Sequence, residues 1–276
     1  MQCGSRYSPG AIARSALGFV LRRFSRGVLV LTVVAALCGP GARGEAPAPT
    51  APASGAAACV VAPKPNSLWS LAQCCAKDSK SDPDCRYYSE ADEFIILKDN
   101  SRKKPAAYLI IPTAKITGIE DRQIFAPPFA DFWGYGWRLA QTFVKKPAAE
   151  TALAINSASG RTQNQLHIHI ACVRPDVART LAGNDAKVGS DPATAMQLAL
   201  GPADNTYRVI KAAGLTGPDS PYKLVAAMPG AGADMADQSI AVIGSTTPGS
   251  YYVLETYAHG ANPGSAEELL DQYCGG

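Results

Sequence analysis

Two of the three histidines in this 276-residue chain lie in one short segment, residues 156–173, reading NSASGRTQNQLHIHIACV. Gln165, His167 and His169 fall on one parity, and Leu166, Ile168 and Ile170 on the other. In a β-strand this alternation makes one face apolar and arrays Gln-His-His on the opposite face, the imidazoles roughly 7 Å apart along the chain. A neutral imidazole nitrogen can displace one side of a pyrophosphate, forming a phosphoramidate that water then hydrolyses. The loop 157–164 ahead of the strand is small and polar, and suits a phosphate. There Gly160 permits close backbone approach, Arg161 and Thr162 can neutralise and hydrogen-bond non-bridging oxygens, and Gln163 adds an amide. One imidazole of the pair His167 and His169 is then the nucleophile, and His169 can orient the phosphate or pass a proton to the leaving oxygen. This chemistry requires neither metal nor cofactor.

A strand-borne His-x-His also places two metal ligands on one face, so a metal-dependent hydrolase is the competing reading. Its third ligand would be His259 or a carboxylate. His259 sits in a loop, AHGANP, with no further ligand spacing around it, and reads as a solvated residue. A third reading is a module that binds nucleotide or phospholipid through the same loop without turnover.

The elements that must position these residues are strands with a few helices. Segments 94–97 and 107–112 read as strands, the second stopped by Pro112. Apolar residues at 129, 132, 133, 137, 140, 143 and 144 have a helical period, ended at Lys145-Lys146-Pro147. The aromatic residues Phe132, Trp133, Tyr135 and Trp137 on that helix form a core or surface cluster, with base stacking as the rarer alternative. Segment 151–156 is a strand that forms a hairpin-like unit with the histidine strand. A helical or irregular stretch follows Arg174-Pro175-Asp176 and includes residues 193–200. Four strand-like segments come next, 207–211, 222–228, 239–243 and 251–256, separated by Gly/Pro turns. Ser265-Ala266-Glu267-Glu268 has the pattern of a capping box opening a last helix through Tyr273. A short helix at 67–71 and a polar loop at 77–84, closed by Cys85, lie upstream. The pattern is α+β, a mainly antiparallel sheet with a few flanking helices in a single domain.

The N-terminus has a different character. Residues 1–44 contain six arginines and no acidic residue, then the ten-residue apolar run 28–37, then Ala42-Arg43-Gly44. This is the layout of a secretory signal, and the run falls short of the ~20 residues that span a bilayer. An uncleaved anchor is the alternative; Cys38, preceded by Leu37, makes a poor lipoprotein site. Residues 45–66 are a Pro/Ala/Gly-rich spacer, and 67–276 form the catalytic domain. Beyond residue 44 there are 20 basic and 23 acidic residues, so bulk charge gives no sign of a nucleic-acid partner. Six cysteines remain after Cys3 and Cys38, an even number that suits disulfides in an exported protein.

The run from Gln165 to Ala171 resembles the histidine-triad motif, with Gln165 in place of the first histidine. The wider string AINSASGRTQNQLHIHIACVRPD is very similar to the CDP-diacylglycerol pyrophosphatase (CDP-diacylglycerol hydrolase) branch of that superfamily. Leu97-Lys98-Asp99, the stretch 108–113, the Phe132-Trp133 helix and the segment from Ser265 to Cys274 extend the likeness, roughly from Cys74 to the C-terminus. The resemblance implies a HIT-like fold, no cofactor, and hydrolysis of CDP-diacylglycerol to CMP and phosphatidate through a nucleotidyl-histidine intermediate. It makes His167 the nucleophile, puts His169 near the phosphate and Thr162 in place of a phosphate-facing hydroxyl, and gives Asn156 the task of holding the histidine network. An amide at Gln165 keeps a hydrogen bond but takes no proton. Cys172 with Cys274, and Cys85 with Cys74 or Cys75, are the favoured pairings. A lipid-linked nucleotide accords with an exported protein working at the membrane surface of the cell envelope. Related triad proteins are often dimers, and nothing in this sequence singles out an interface.

Overall fold

The computed structural model describes residues 59–99 and 103–275. The expected targeting segment and all but the end of the spacer lie outside these residues. Among the described residues ten strands form one open sheet in the order β1-β2-β3-β5-β4-β8-β9-β7-β6, with β10 also paired to β5 and every pairing antiparallel. The strands are β1 (Cys85–Ser89), β2 (Phe94–Lys98), β3 (Tyr108–Pro112), β4 (Thr151–Ile155) and β5 (Ile168–Val173), followed by β6 (Met196–Leu200), β7 (Asn205–Ala212), β8 (Gln238–Gly244), β9 (Tyr251–Tyr257) and β10 (Leu270–Asp271). Among the described residues four α-helices pack on it: α1 (Ser67–Lys77), α2 (Phe132–Phe143), α3 (Pro175–Asn184) and α4 (Pro221–Ala226). The architecture is the α+β, mainly antiparallel domain expected.

The two faces of the sheet have different jobs. On one, Ile168 and Ile170 of β5 join Leu153, Val242 and Val253 beneath the aromatic stripe of α2. Phe132 and Trp133 are fully buried there, Trp133 packs edge-on against Tyr222, and Trp137 against Tyr251. The aromatic group is therefore core, not a base-stacking platform. The opposite face carries two separate apolar patches. One lies under α3 and the C-terminal segment, with Ala154, Ala241, Val209, Leu181 and Leu269. The other lies under α1, whose Leu68, Leu71, Ala72 and Cys75 recur at helical spacing against Leu97 and Leu109. His169 is opposite Leu109 on one side and Ala154 on the other, so it stands between the two patches.

Several local expectations were overruled. The expected strand 222–228 is instead the helix α4 and the turn that follows it: Pro221 at the helix's first position presets φ, and Tyr222 and Val225 then fall on one buried side. Residues 196–200, read as helical or irregular, form the edge strand β6. No opening C-terminal helix forms; 266–269 is a single 3-10 turn that leads into β10, and Ser265 caps nothing. Its hydroxyl bonds Asn156 instead, at 3.1 Å. The exposed strand β1 has no clear apolar alternation and went unread.

Three disulfides, Cys59–Cys74, Cys75–Cys85 and Cys172–Cys274, include the expected C-terminal pair and the Cys75 option for Cys85. They fit an oxidising compartment. The Cys59 bridge, together with a bond from the Asn164 amide to the Pro65 carbonyl, ties the last residues of the expected spacer to the domain. Among the described residues no helix is long and apolar enough to cross a membrane.

Candidate active site

The histidine strand begins three residues later than its alternation predicts. β5 starts at Ile168, so Gln165, Leu166 and His167 lie ahead of the ladder. Its neighbour β3 ends at Pro112, which has no N–H with which to continue the pairing. Beyond that point the chain is held by other bonds. The Leu166 amide donates to Ile116 O at 2.6 Å, and the Gln165 side-chain amide donates to Pro112 O at 3.0 Å and Ala114 O at 2.9 Å. Gln165 therefore clamps the β3 exit with its side chain and contributes its backbone to the histidines.

That backbone contribution is specific. His167 Nδ1 lies 2.7 Å from the Gln165 carbonyl oxygen. A carbonyl only accepts, so Nδ1 carries the hydrogen and Nε2 keeps the lone pair. The His169 ring is 5.0 Å away, centroid to centroid, at an interplanar angle of 70°. His169 Nε2 lies 3.3 Å from Glu267 Oε2. A carboxylate likewise only accepts, so this contact favours the tautomer with the hydrogen on Nε2.

Both imidazoles line a cleft of about 520 Å³. Lys64, Lys98, Lys104 and Thr162 supply polar groups around it, and Leu68, Leu71, Leu97 and Leu109 an apolar wall. Lys98 Nζ donates to the carbonyls of Asp99, Lys104 and Ala107 at 2.8–3.2 Å and so folds the chain that carries Lys104. Lys104 in turn pairs with Glu267 and with Asp99. A larger cleft of about 680 Å³ lies on the opposite face of the sheet, floored by Arg208 and Glu255. The exposed His259 is on its rim, bonded through Nδ1 to Tyr257 O, far in register from the histidine pair. Among the described residues, no group of three or more His, Cys, Asp or Glu side chains is placed to hold a metal ion.

The other expected site residues have more structural duties than their types suggested. Arg161 forms a bidentate ion pair with Glu120, 2.7 Å at its NH1 contact, so its charge is already compensated. A Cβ on Gly160 would lie 2.3 Å from the Gly264 carbonyl oxygen; the close approach there is by backbone, not ligand. Gln163 accepts from Ser67 Oγ at 2.9 Å and the Leu68 amide at 3.4 Å, capping α1 from a distance. Thr162 remains exposed at the cleft. Asn156, expected to hold the histidine network, touches neither imidazole and bonds Glu267 and Ser265 instead. Its side chain donates to Glu267 Oε2 at 3.2 Å and accepts from the Glu267 amide at 3.1 Å. Glu267 and Lys104 were not found from sequence. Glu267 had been absorbed into the capping-box pattern, and Lys104 is one of several lysines in a polar turn.

Electrostatics follow from burial. Desolvation pushes His167 below the ordinary histidine value, against the opposing pull of the Gln165 carbonyl and Glu267. Desolvation likewise takes His169 down to about 4 despite Glu267 beside it. Burial works against ionising Glu267, yet His169, Lys104 and Asn156 hold it down at about 2. At neutral pH the site is thus two neutral imidazoles beside a carboxylate. The sign for stability is the same for His169 and Glu267. Each binds its proton less readily when folded, so its contribution is complete above the unfolded value and is lost as pH falls towards the folded one. His169 acts between 6.5 and about 4, and Glu267 between 4.5 and about 2. The thermal midpoint should fall steadily from about pH 6.5 downward. A midpoint constant between pH 7 and pH 4 would contradict the buried neutral histidine.

Comparison with known proteins defines the class: a hydrolase. Residues 63–276 match the family model for CDP-diacylglycerol pyrophosphatase, a match that begins earlier than the resemblance around Cys74 and includes every residue of the site. The chain is also 33% identical over 220 residues to a CDP-diacylglycerol pyrophosphatase of Yersinia pestis, covering 76% of this chain and 84% of that protein. It belongs to the CDP-diacylglycerol pyrophosphatase family.

Proposed function

We propose that this protein hydrolyses the pyrophosphate bond of CDP-diacylglycerol through a nucleotidyl-histidine on His167. The Nε2 lone pair forms a bond to the cytidylyl phosphorus as the bond to the bridging oxygen breaks, and phosphatidate departs with that electron pair. Water then attacks the same phosphorus, the P–N bond breaks, and CMP leaves with the imidazole restored. The observation that carries this reading is the His167 tautomer: the Gln165 carbonyl holds Nδ1–H, and Nε2 is left as the nucleophile at the cleft. Lys64 lines the same cleft and can meet the negative charge that the non-bridging oxygens gain. The apolar wall of α1 and β2–β3 suits the glycerolipid side of the substrate. On this reading the chain is a HIT-like protein in which Gln165 takes the first histidine's position. It acts in an exported location at a membrane surface, in keeping with its three disulfides.

The test uses CDP-diacylglycerol labelled at the cytidylyl phosphorus, in detergent micelles with excess EDTA. After an alkaline quench, label should be recovered on the peptide containing His167 in an acid-labile form, alongside free CMP. CMP release that depends on added divalent ion, without bound label, would move the assignment to metal-dependent hydrolysis. Binding without release would make the protein a nucleotide or phospholipid receptor.

A further inference from the structure

We propose that Glu267 is a positioning residue of this reaction, the fixed anion that orients His169 and balances the positive charge arising on His167. The proposal rests on the nucleotidyl-histidine reading. It begins from how completely the carboxylate is immobilised. Oε2 meets His169 Nε2 at 3.3 Å and accepts from Asn156 at 3.2 Å. Oε1 accepts from Lys104 and, at 2.5 Å, from Gln272. The Glu267 amide is itself bonded to Asn156 Oδ1, so one asparagine fixes both the backbone and the head of this residue. A buried carboxylate is costly unless its oxygens are paired, and here each has two partners.

Three features give this arrangement a purpose beyond packing. The first concerns the tautomer of His169. The carboxylate against Nε2 favours the tautomer with the hydrogen on that nitrogen and so sets the orientation of the ring. The second is charge. When His167 Nε2 bonds to phosphorus, its ring retains the Nδ1 hydrogen held by the Gln165 carbonyl and becomes cationic. A carboxylate standing one imidazole away, across largely buried rings 5.0 Å apart, stabilises that cation. The third is the side chain at position 165, which bonds the carbonyls of Pro112 and Ala114 and leaves this compensation to another residue. Other charges around the pair are Lys104 and Asp99 beside Glu267, and Arg161, which Glu120 neutralises.

The neighbouring acid provides an internal control. Glu268 accepts from Asn205 at 2.8 Å and from Tyr207 at 2.7 Å, contacts that secure the C-terminal turn to β7. Glu267→Gln and Glu268→Gln therefore remove the same charge from adjacent positions of one turn. For Glu267→Gln the expected result is a kcat lower by about 10²-fold with KM within about twofold of wild type. The acid limb of its kcat/KM profile should also move to lower pH, because the lost carboxylate favours protonated His167. Glu268→Gln should lower the thermal midpoint and leave that limb in place. A Glu267→Gln kcat within about threefold of wild type, or a loss matched by Glu268→Gln with no movement of the limb, would overturn the proposal. The wild-type enzyme supplies a measurement independent of variant folding: ¹⁵N spectra should show His169 protonated at Nε2, and an Nδ1–H tautomer would refute the contact. Failure of the underlying reading is separately visible, since wild-type protein would then yield no label on His167.

Discussion

Replacing His167 with alanine should slow CMP release by about 10³-fold or more while leaving a folded protein. The size of the effect follows from the absence of a substitute nucleophile. His169 is the other imidazole in the cleft, but its Nε2 is tied to Glu267 and its Nδ1 is buried with no partner in reach. Removing the nucleophile also removes the intermediate, so neither half of the reaction can proceed by the same route. The fold should tolerate the change. His167 lies ahead of the ladder, and the bond lost is a side-chain contact to the Gln165 carbonyl, which the adjoining cleft can hydrate. The measurement is CMP release in EDTA, with the thermal midpoint recorded on the same preparation. A variant that keeps activity within tenfold of wild type would rule out His167 as the attacking group.

The second large effect is expected at the C-terminal disulfide. Cys172 and Cys274 are 102 residues apart, and in the loop-entropy account closing a span of about 100 residues stabilises the fold by roughly 4–5 kcal/mol. A variant with Cys172→Ala and Cys274→Ser should lose an amount of that order in urea denaturation. Its consequence for the site should precede global unfolding. β10 is two residues long and pairs with Val173 and Cys172 of β5, so the bridge anchors a segment that its own ladder holds weakly. Glu267 and Glu268 lie just ahead of that strand. On heating, the variant should therefore lose CMP release several degrees below the loss of far-ultraviolet circular dichroism, whereas in wild type the two should coincide. Coincident transitions in the variant, or a stability within about 1 kcal/mol of wild type, would show that the C-terminal turn is held without the bridge.

What could be read from the chain alone was whatever repeats locally. The alternation through Ile168 and Ile170 marked β5, and the period of Phe132, Trp133, Trp137 and Ala140 marked α2, because burial of one face imposes itself on neighbours two or four residues apart. The histidine pair stood out for the same reason. Short segments without a decisive period were less secure. The apolar run after Pro221 suits strand or helix by composition, and its proline and tertiary packing settled on helix. Polar side chains were the least legible. Gln163 looked like a phosphate contact and caps a helix whose first residue lies 96 positions earlier. Arg161 looked like a free cation and is bound to Glu120, and Glu267 looked like part of a local cap. Sequence alone determined the strand, the histidine pair it carries and the cysteines that brace the domain. The tertiary structure alone decided which nitrogen of His167 is free and which acid faces His169. A hydrogen bond such as that between Asn156 and Glu267 joins residues 111 positions apart, and no local periodicity records a partner that only folding brings within reach.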